Sequence, residues 1–334
     1  MVPQTPHNNR VALVAAARNE AAYLPEWVFH HHYFGFGPIE IHVNRSNDGS
    51  QQLVKHIATF TPGVELHSVG TGGRNPNPQR AAYDNARRRL RRAAGPHDYT
   101  MFLDIDEFWT PTDLQSSILD VMSAAHWPAV AAFNWLQLTS DTKAFEPAIA
   151  AALIGEPHQH VKSAFRSRLR ILGFTPHGVR PLPHRRIWSA NQTELTWRRP
   201  FMSKSPPKQL DPAFILHRFF RSQMEYLAIL GRGRPRTDAE ALKQNRPGYH
   251  VGVLRDQDQL TFSPPDAARQ RYETARRAFF AKLGDPQRQA AQTSVKQRAA
   301  HVLKTYLAMS PEEKQQWRTQ FQNLDLDALC AEIL

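Results

Sequence analysis

The chain predicts an α/β fold in which a mainly parallel sheet carries helices on both faces and a helical part follows at the C-terminus. Three observations carry that expectation. Short apolar runs alternate with helix-patterned segments over the first 125 residues, each polar cluster of that region closes an apolar run, and an arginine-rich amphipathic pattern takes over after Pro264-Pro265. In such sheets ligands bind beyond the carboxyl ends of the strands.

Residues 11–17 are an apolar run ending at Arg18-Asn19-Glu20, and a helical stripe through Leu24, Trp27, Val28, His31 and Phe34 then stops at Gly35. Residues 39–44 alternate as a second strand, Ser46-Asn47-Asp48-Gly49 is a turn, and residues 50–60 form a second helix. A third strand at 64–69 leads through a glycine- and proline-rich loop at 70–78 to a basic helix at 79–94. The fourth strand starts at Tyr99 and closes in acids, Asp104-Ile105-Asp106-Glu107.

Thr110-Pro111-Thr112-Asp113 reads as the next helix start, with an N-cap and a proline at the first helical position ahead of Leu114, Ile118, Leu119 and Met122. From 129 to about 220 the strands are less regular, with 130–135 and 213–217 the clearest. Ser222 with Glu225 and Ser310 with Glu313 are capping boxes for later helices. After Pro264-Pro265-Asp266, the residues Tyr272, Ala275, Phe279 and Leu283 make one stripe, which core packing explains better than membrane binding. The expected division is a domain at 8–255 and a basic helical extension at 264–334.

The composition narrows the function classes. No apolar stretch approaches the roughly 18 residues of a membrane span, and the first ten residues lack the charged and apolar regions of a signal peptide. A single cysteine, Cys330, excludes an intramolecular disulfide and a cysteine-rich zinc site. Both point to the cytosol, including the inner face of a membrane. The net charge of +12 and pI near 10.1 call for an anionic partner such as a nucleotide, an acidic glycan or an anionic membrane face. No RNA- or DNA-reading motif accompanies the arginines, so nucleic acid is not the expected partner.

The acids at 104–107 carry the chemistry. On a strand Asp104 and Asp106 would share a face and repel each other unless a cation lay between them, and Mg²⁺ or Mn²⁺ takes such oxygens while leaving positions for substrate phosphates. With capping assigned to Thr110 through Asp113, neither aspartate has a structural duty, and Glu107 stays open between the two roles. A phosphatase-like D-x-D nucleophile fits less well. That motif prefers Thr or Val where this chain has Phe108, and it opens its domain, whereas here strand-helix units precede it. His30-His31-His32 lie on a helix about 100° apart and cannot share one metal. Gly70-Thr71-Gly72-Gly73 lacks the lysine of a phosphate-binding loop.

These residues resemble the GT-A glycosyltransferases, family 2-like, in the branch that shares motifs with family 92. The resemblance runs from about residue 10 to 249 through Arg18-Asn19-Glu20, Glu26-Trp27, His31, Ser46-Asn47-Asp48-Gly49-Ser50, Gln79, Asp104-Ile105-Asp106-Glu107 and Leu216-His217 with Arg221-Ser222. Arg218 stands where the relatives carry tyrosine, and Arg232-Gly233 replaces a lysine-led stretch.

The resemblance implies a Rossmann-like nucleotide-diphospho-sugar transferase fold with a mixed, mainly parallel sheet, and an inverting transfer from a nucleotide sugar, with UDP the prior, to a glycan or lipid-linked hydroxyl. It implies that Arg18, Glu20, Asp48 and Asp104 hold the nucleotide and that Asp104, Asp106 and His217 hold Mn²⁺ or Mg²⁺. Arg221, Arg232 and Arg234, which follow His217, read either as a bidentate clamp on phosphate oxygens or as a solvated basic loop. Asp141 is the base in the matching region, with Asp211 and Glu146 as rivals. The competing non-enzymatic expectation is an inactive GT-A relative that binds an anionic glycan or membrane surface.

Overall fold

The computed structural model describes residues 10–68, 77–95, 98–139, 143–196, 199–232, 242, 246–250 and 258–334. The first half alternates strand and helix: β1 (Val11–Ala17), α1 (Leu24–Tyr33), β2 (Ile39–Val43), α2 (Ser50–Phe60), β3 (Val64–Ser68), α3 (Pro78–Ala93) and β4 (Tyr99–Phe102). There follow β5 (Glu107–Pro111), α4 (Ile118–Ala124), β6 (Val130–Leu138), β7 (Leu153–Arg166), β8 (Ile171–Thr175) and β9 (Gly178–Pro181). The short strands β10 (Trp188–Ser189), β11 (Leu195–Thr196) and β12 (Arg199–Ser203) precede β13 (Ala213–His217) and α5 (Gln223–Leu230). The chain ends with β14 (Leu260–Phe262), α6 (Asp266–Leu283), α7 (Asp285–Ala308), α8 (Pro311–Phe321) and α9 (Leu326–Ile333).

The main sheet runs β3-β2-β1-β4-β7-β6-β13-β5. Its first strands are parallel, β7 lies antiparallel to β4 and β6, β13 is parallel to β6, and β5 is antiparallel to β13. The fold is therefore α/β with a mixed sheet flanked by helices. Both faces are buried at β1, which is why it is a continuous apolar run. Val11, Leu13, Ala15 and Ala17 face the layer of α1, α2 and α6, while Val14 packs with Tyr83, Ala86 and Phe102 on the α3 side.

The α6 stripe is core packing: Tyr272, Phe279 and Leu283 join the cluster that contains Trp27 and Phe29 of α1. Helix α7 packs on α5 in a second cluster with Leu227, Leu230, Val302 and Leu303. Among the described residues no helix is long and apolar enough to cross a membrane.

Two local expectations are overturned. Thr110 and Pro111 belong to β5, and α4 starts only at Ile118, capped by Ser117 with Asp120 in a reciprocal box. Asp113 instead closes the intervening turn by accepting from the amides of Gln115 and Ser116 at 2.9 Å. Asp104 and Asp106 lie on a turn between β4 and β5, not on a strand, so alternation does not apply to them and their side chains diverge.

Candidate functional site

Strand order reverses between β1 and β4, the place where an open α/β sheet leaves a crevice at its carboxyl ends. Arg18-Asn19-Glu20 follows β1, Ser46-Asn47-Asp48 follows β2 and Asp104-Ile105-Asp106 follows β4, so the clusters meet at that crevice. Hydrogen bonds stitch the first two together. The Asn19 amide donates to Ser46 Oγ at 2.9 Å, the Asn47 amide to Asn19 Oδ1 at 2.9 Å and the Ala21 amide to Asp48 Oδ2 at 2.9 Å. Asn19 sits at φ 53°, a left-handed conformation that asparagine tolerates. Asp48 Oδ1 also accepts from the Ser50 amide and hydroxyl, which makes Asp48 a clamp between the two loops.

The acidic turn is locked from below. Trp27 Nε1 donates to the carbonyls of Asp104 and Glu107 at 3.0 Å each, and the Asp104 amide donates to Glu107 Oε2 at 2.8 Å. Asp104 Oδ1 accepts from Gln79 Nε2 at 2.6 Å, and Oδ2 from Lys162 Nζ at 3.1 Å. Asp104 thus does have a structural duty, contrary to the sequence expectation. Lys162 also pairs with Glu107 at 2.8 Å, and both are wholly buried. Burial pushes the Glu107 carboxyl up, while burial alone would pull Lys162 down and Asp104 with Glu107 more than offset it, so the ammonium stays charged.

Asp106 turns the other way. Its Oδ2 lies 3.9 Å from His217 Nε2, on the strand whose register sets His217 beside Glu107 of β5 and Gln137 of β6. Burial would raise the Asp106 carboxyl, but His217, Arg221 and Arg246 hold it below the usual carboxylate range. His217 Nδ1 is buried with no hydrogen-bond partner among the described residues. Glu20, almost buried, sits between Arg221 at 3.5 Å and Arg232 in direct contact. Arg221 stacks on Tyr23 at 3.5 Å from the ring centre, and Glu20, Tyr23 and Asp106 keep its guanidinium charged against the cost of burial. The Arg232 guanidinium also reaches the Arg18 carbonyl at 3.5 Å.

Of the sequence-predicted residues, Arg18, Glu20, Asp48, Asp104, Asp106, His217, Arg221 and Arg232 are brought to one rim. Asp141, Arg234 and the loop at 70–73 lie outside the described residues. Asp211 lies away from this rim: it precedes β13 at the end opposite His217 and accepts from Thr112 Oγ1. Glu146 lines a small, partly open pocket that adjoins the rim and is shared with Ile105, Tyr23 and Arg221.

Sequence reasoning missed the contribution of β7. His158, His160 and Lys162 alternate along it, a pattern readable as one strand face. Trp135 packs against His217 at 4.2 Å and His160 at 4.9 Å, and His177 joins them at 5.3 Å. Burial lowers His158 to about 4 and His177 to about 3, so these two imidazoles are uncharged at neutral pH.

No family model matches the chain, and no curated protein matches it. Among solved structures it is similar to the mannosyltransferase PcManGT from Pyrobaculum calidifontis, solved in complex with GDP-Man and Mn²⁺, at 18% identity and a TM-score of 0.36, covering 97% of this chain and 79% of that one.

Proposed function

We propose that the chain is a metal-dependent glycosyltransferase of GT-A type, which moves a sugar from a nucleotide-sugar donor, UDP-linked in the first instance, to a hydroxyl of a glycan or lipid-linked acceptor with inversion. One observation carries the reading: Asp106 and His217 face each other at the switch-point crevice, beside Asp104 and Glu107 and with Lys162 as the buried counter-charge. The donor set fits a divalent ion. Asp106 Oδ2 and His217 Nε2 lie 3.9 Å apart, a spacing that one ion between them would span, and mixed oxygen and nitrogen ligands suit Mn²⁺ better than Mg²⁺.

Asp106 and His217 would hold the ion, with Asp104 at its edge or on the ribose. Bound there, the ion supplies positive charge against the departing diphosphate. Arg221 adds a fixed guanidinium on the same side, oriented by Glu20 and Tyr23, and Arg232 a second, so charge on a leaving phosphate meets preorganised partners. Asp48 and Glu20, at the ends of β2 and β1, would face the nucleoside. Asp141 is assigned the acceptor's proton, with Glu146 the remaining rival. The basic surface suits an acidic or lipid-linked acceptor at an anionic membrane face.

Release of nucleoside diphosphate from a panel of UDP- and GDP-sugars, with and without Mn²⁺, tests this. Mn²⁺-dependent release that Asp106→Ala abolishes supports it. One observation favours the second reading, an inactive relative that binds an anionic glycan or membrane: Asp104 and Glu20 are already neutralised by Lys162, Arg221 and Arg232. Binding of acidic glycan without donor turnover would select it.

A further inference from the structure

Glu-x-His recurs on two neighbouring strands, as Glu40-Ile41-His42 in β2 and Glu65-Leu66-His67 in β3. The two strands pair in parallel with Glu40 opposite Glu65 and His42 opposite His67. Alternation therefore sets all four side chains on one face as a square, while Ile39, Ile41 and Val43 pass to the core on the other. Glu40, Glu65 and His67 offer ligand atoms within 4.8 Å of one another. His67 Nε2 is 3.1 Å from Glu65 Oε2, His42 Nε2 is 3.6 Å from Glu40 Oε2, and the imidazoles stack at 4.8 Å. His42 is only 4% exposed, and its Nε2 points at the Glu40 carboxylate without a hydrogen bond to any described residue.

We propose that this square holds a second metal site, with Glu40, Glu65 and His67 as its ligands, for Zn²⁺ or a similar divalent transition ion, distinct from the crevice at Asp106. One imidazole nitrogen and two carboxylate oxygens, with a fourth position for water, make a set that zinc takes, while His42 backs the site by stacking on His67; Mg²⁺ and Ca²⁺ prefer oxygen alone. Arg89 of α3 is the competitor: its guanidinium contacts Glu40 and lies 3.4 Å from His67 Nε2. The Arg89 side chain is 43% exposed, so it can withdraw to solvent when the ion enters. Gln79, which reaches Asp104, lies ten residues earlier on α3, about 15 Å along the helix, so the two sites are separate.

The test titrates Zn²⁺ against a chromogenic chelator, and Co²⁺ by visible absorption, in the wild-type chain and in Asp106→Ala, where the crevice is silenced. Both should bind Zn²⁺ at the square, and Asp106→Ala should give the intense absorption of tetrahedral Co²⁺. Adding His67→Ala should weaken Zn²⁺ at least about tenfold, and adding Arg89→Gln should tighten it. His67 is partly exposed, and circular dichroism checks the fold of that variant; should it unfold, the Arg89→Gln arm decides alone. No Zn²⁺ binding in Asp106→Ala, affinity indifferent to both changes, or a Co²⁺ spectrum without tetrahedral bands would overturn the proposal.

Discussion

Lys162 and Glu107, both wholly buried, face each other at 2.8 Å beneath the turn that carries Asp104 and Asp106. The same ammonium reaches Asp104, so one lysine from β7 fixes the acidic turn to the middle of the sheet. Lys162→Met should cost about 3–5 kcal/mol, because it leaves Glu107 buried without its counter-charge. Combining it with Glu107→Gln should recover most of that loss. Urea unfolding of the single and double variants measures both, and a double variant no more stable than Lys162→Met would count against this role of the pair.

Trp27 ties the same turn to α1 through two hydrogen bonds from one indole nitrogen. Trp27→Phe removes the donor, leaving the carbonyls of Asp104 and Glu107 short of a partner, and also opens a small cavity in the core. A loss of about 1–3 kcal/mol is expected, together with weaker Mn²⁺-dependent nucleotide binding. Equal nucleotide affinity in the variant would show that the turn does not need this anchor.

Acid should destabilise the protein earlier than carboxylate titration alone would. His30 is wholly buried between Trp109 and Tyr272, and burial lowers it to about 3. Between about pH 6.5 and 3 the unfolded chain binds a proton at this position and the folded chain does not. Stability is therefore complete above pH 6.5 and falls as pH drops, at up to about 1.4 kcal/mol per unit for this residue. Urea midpoints at pH 7, 6 and 5 read the slope, and His30→Gln should flatten it. An unchanged slope in the variant would contradict the assignment.

Arg221 is held by shape as well as charge. Its guanidinium sits over the Tyr23 ring while it faces Glu20, and a lysine ammonium serves both contacts less well. Arg221→Lys should lower stability by about 1–2 kcal/mol and weaken nucleoside diphosphate binding, whereas the same change at the more exposed Arg232 should affect stability less. Denaturation and nucleotide titration of both variants make the comparison.

Much of this was legible along the chain. The runs at 11–17, 39–43 and 64–68 and the helix at 50–60 were readable because apolar periodicity and turn residues agree there. The boxes at Ser222 and Ser310 were readable because capping is local chemistry. The error at Thr110 has a physical cause. A helix-start pattern was overridden by pairing with β13, a partner more than a hundred residues away, and no local signal reports such pairing. For the same reason Lys162 escaped notice, since its importance comes only from the register that brings β7 beside β4. Asp104 stands out along the chain as one of the clustered acids, but its bonds to Gln79 and Lys162 depend on tertiary placement.

The central claim is that the Asp106 and His217 crevice binds a nucleoside diphosphate through a divalent ion. Calorimetric titration of the purified chain with UDP, with and without Mn²⁺ and repeated on Asp106→Ala, tests it most directly. The expected result is UDP binding that requires Mn²⁺ and disappears in Asp106→Ala while the variant stays folded. Absence of binding by UDP and by other nucleoside diphosphates under every metal condition, in a folded wild-type chain, would contradict the account.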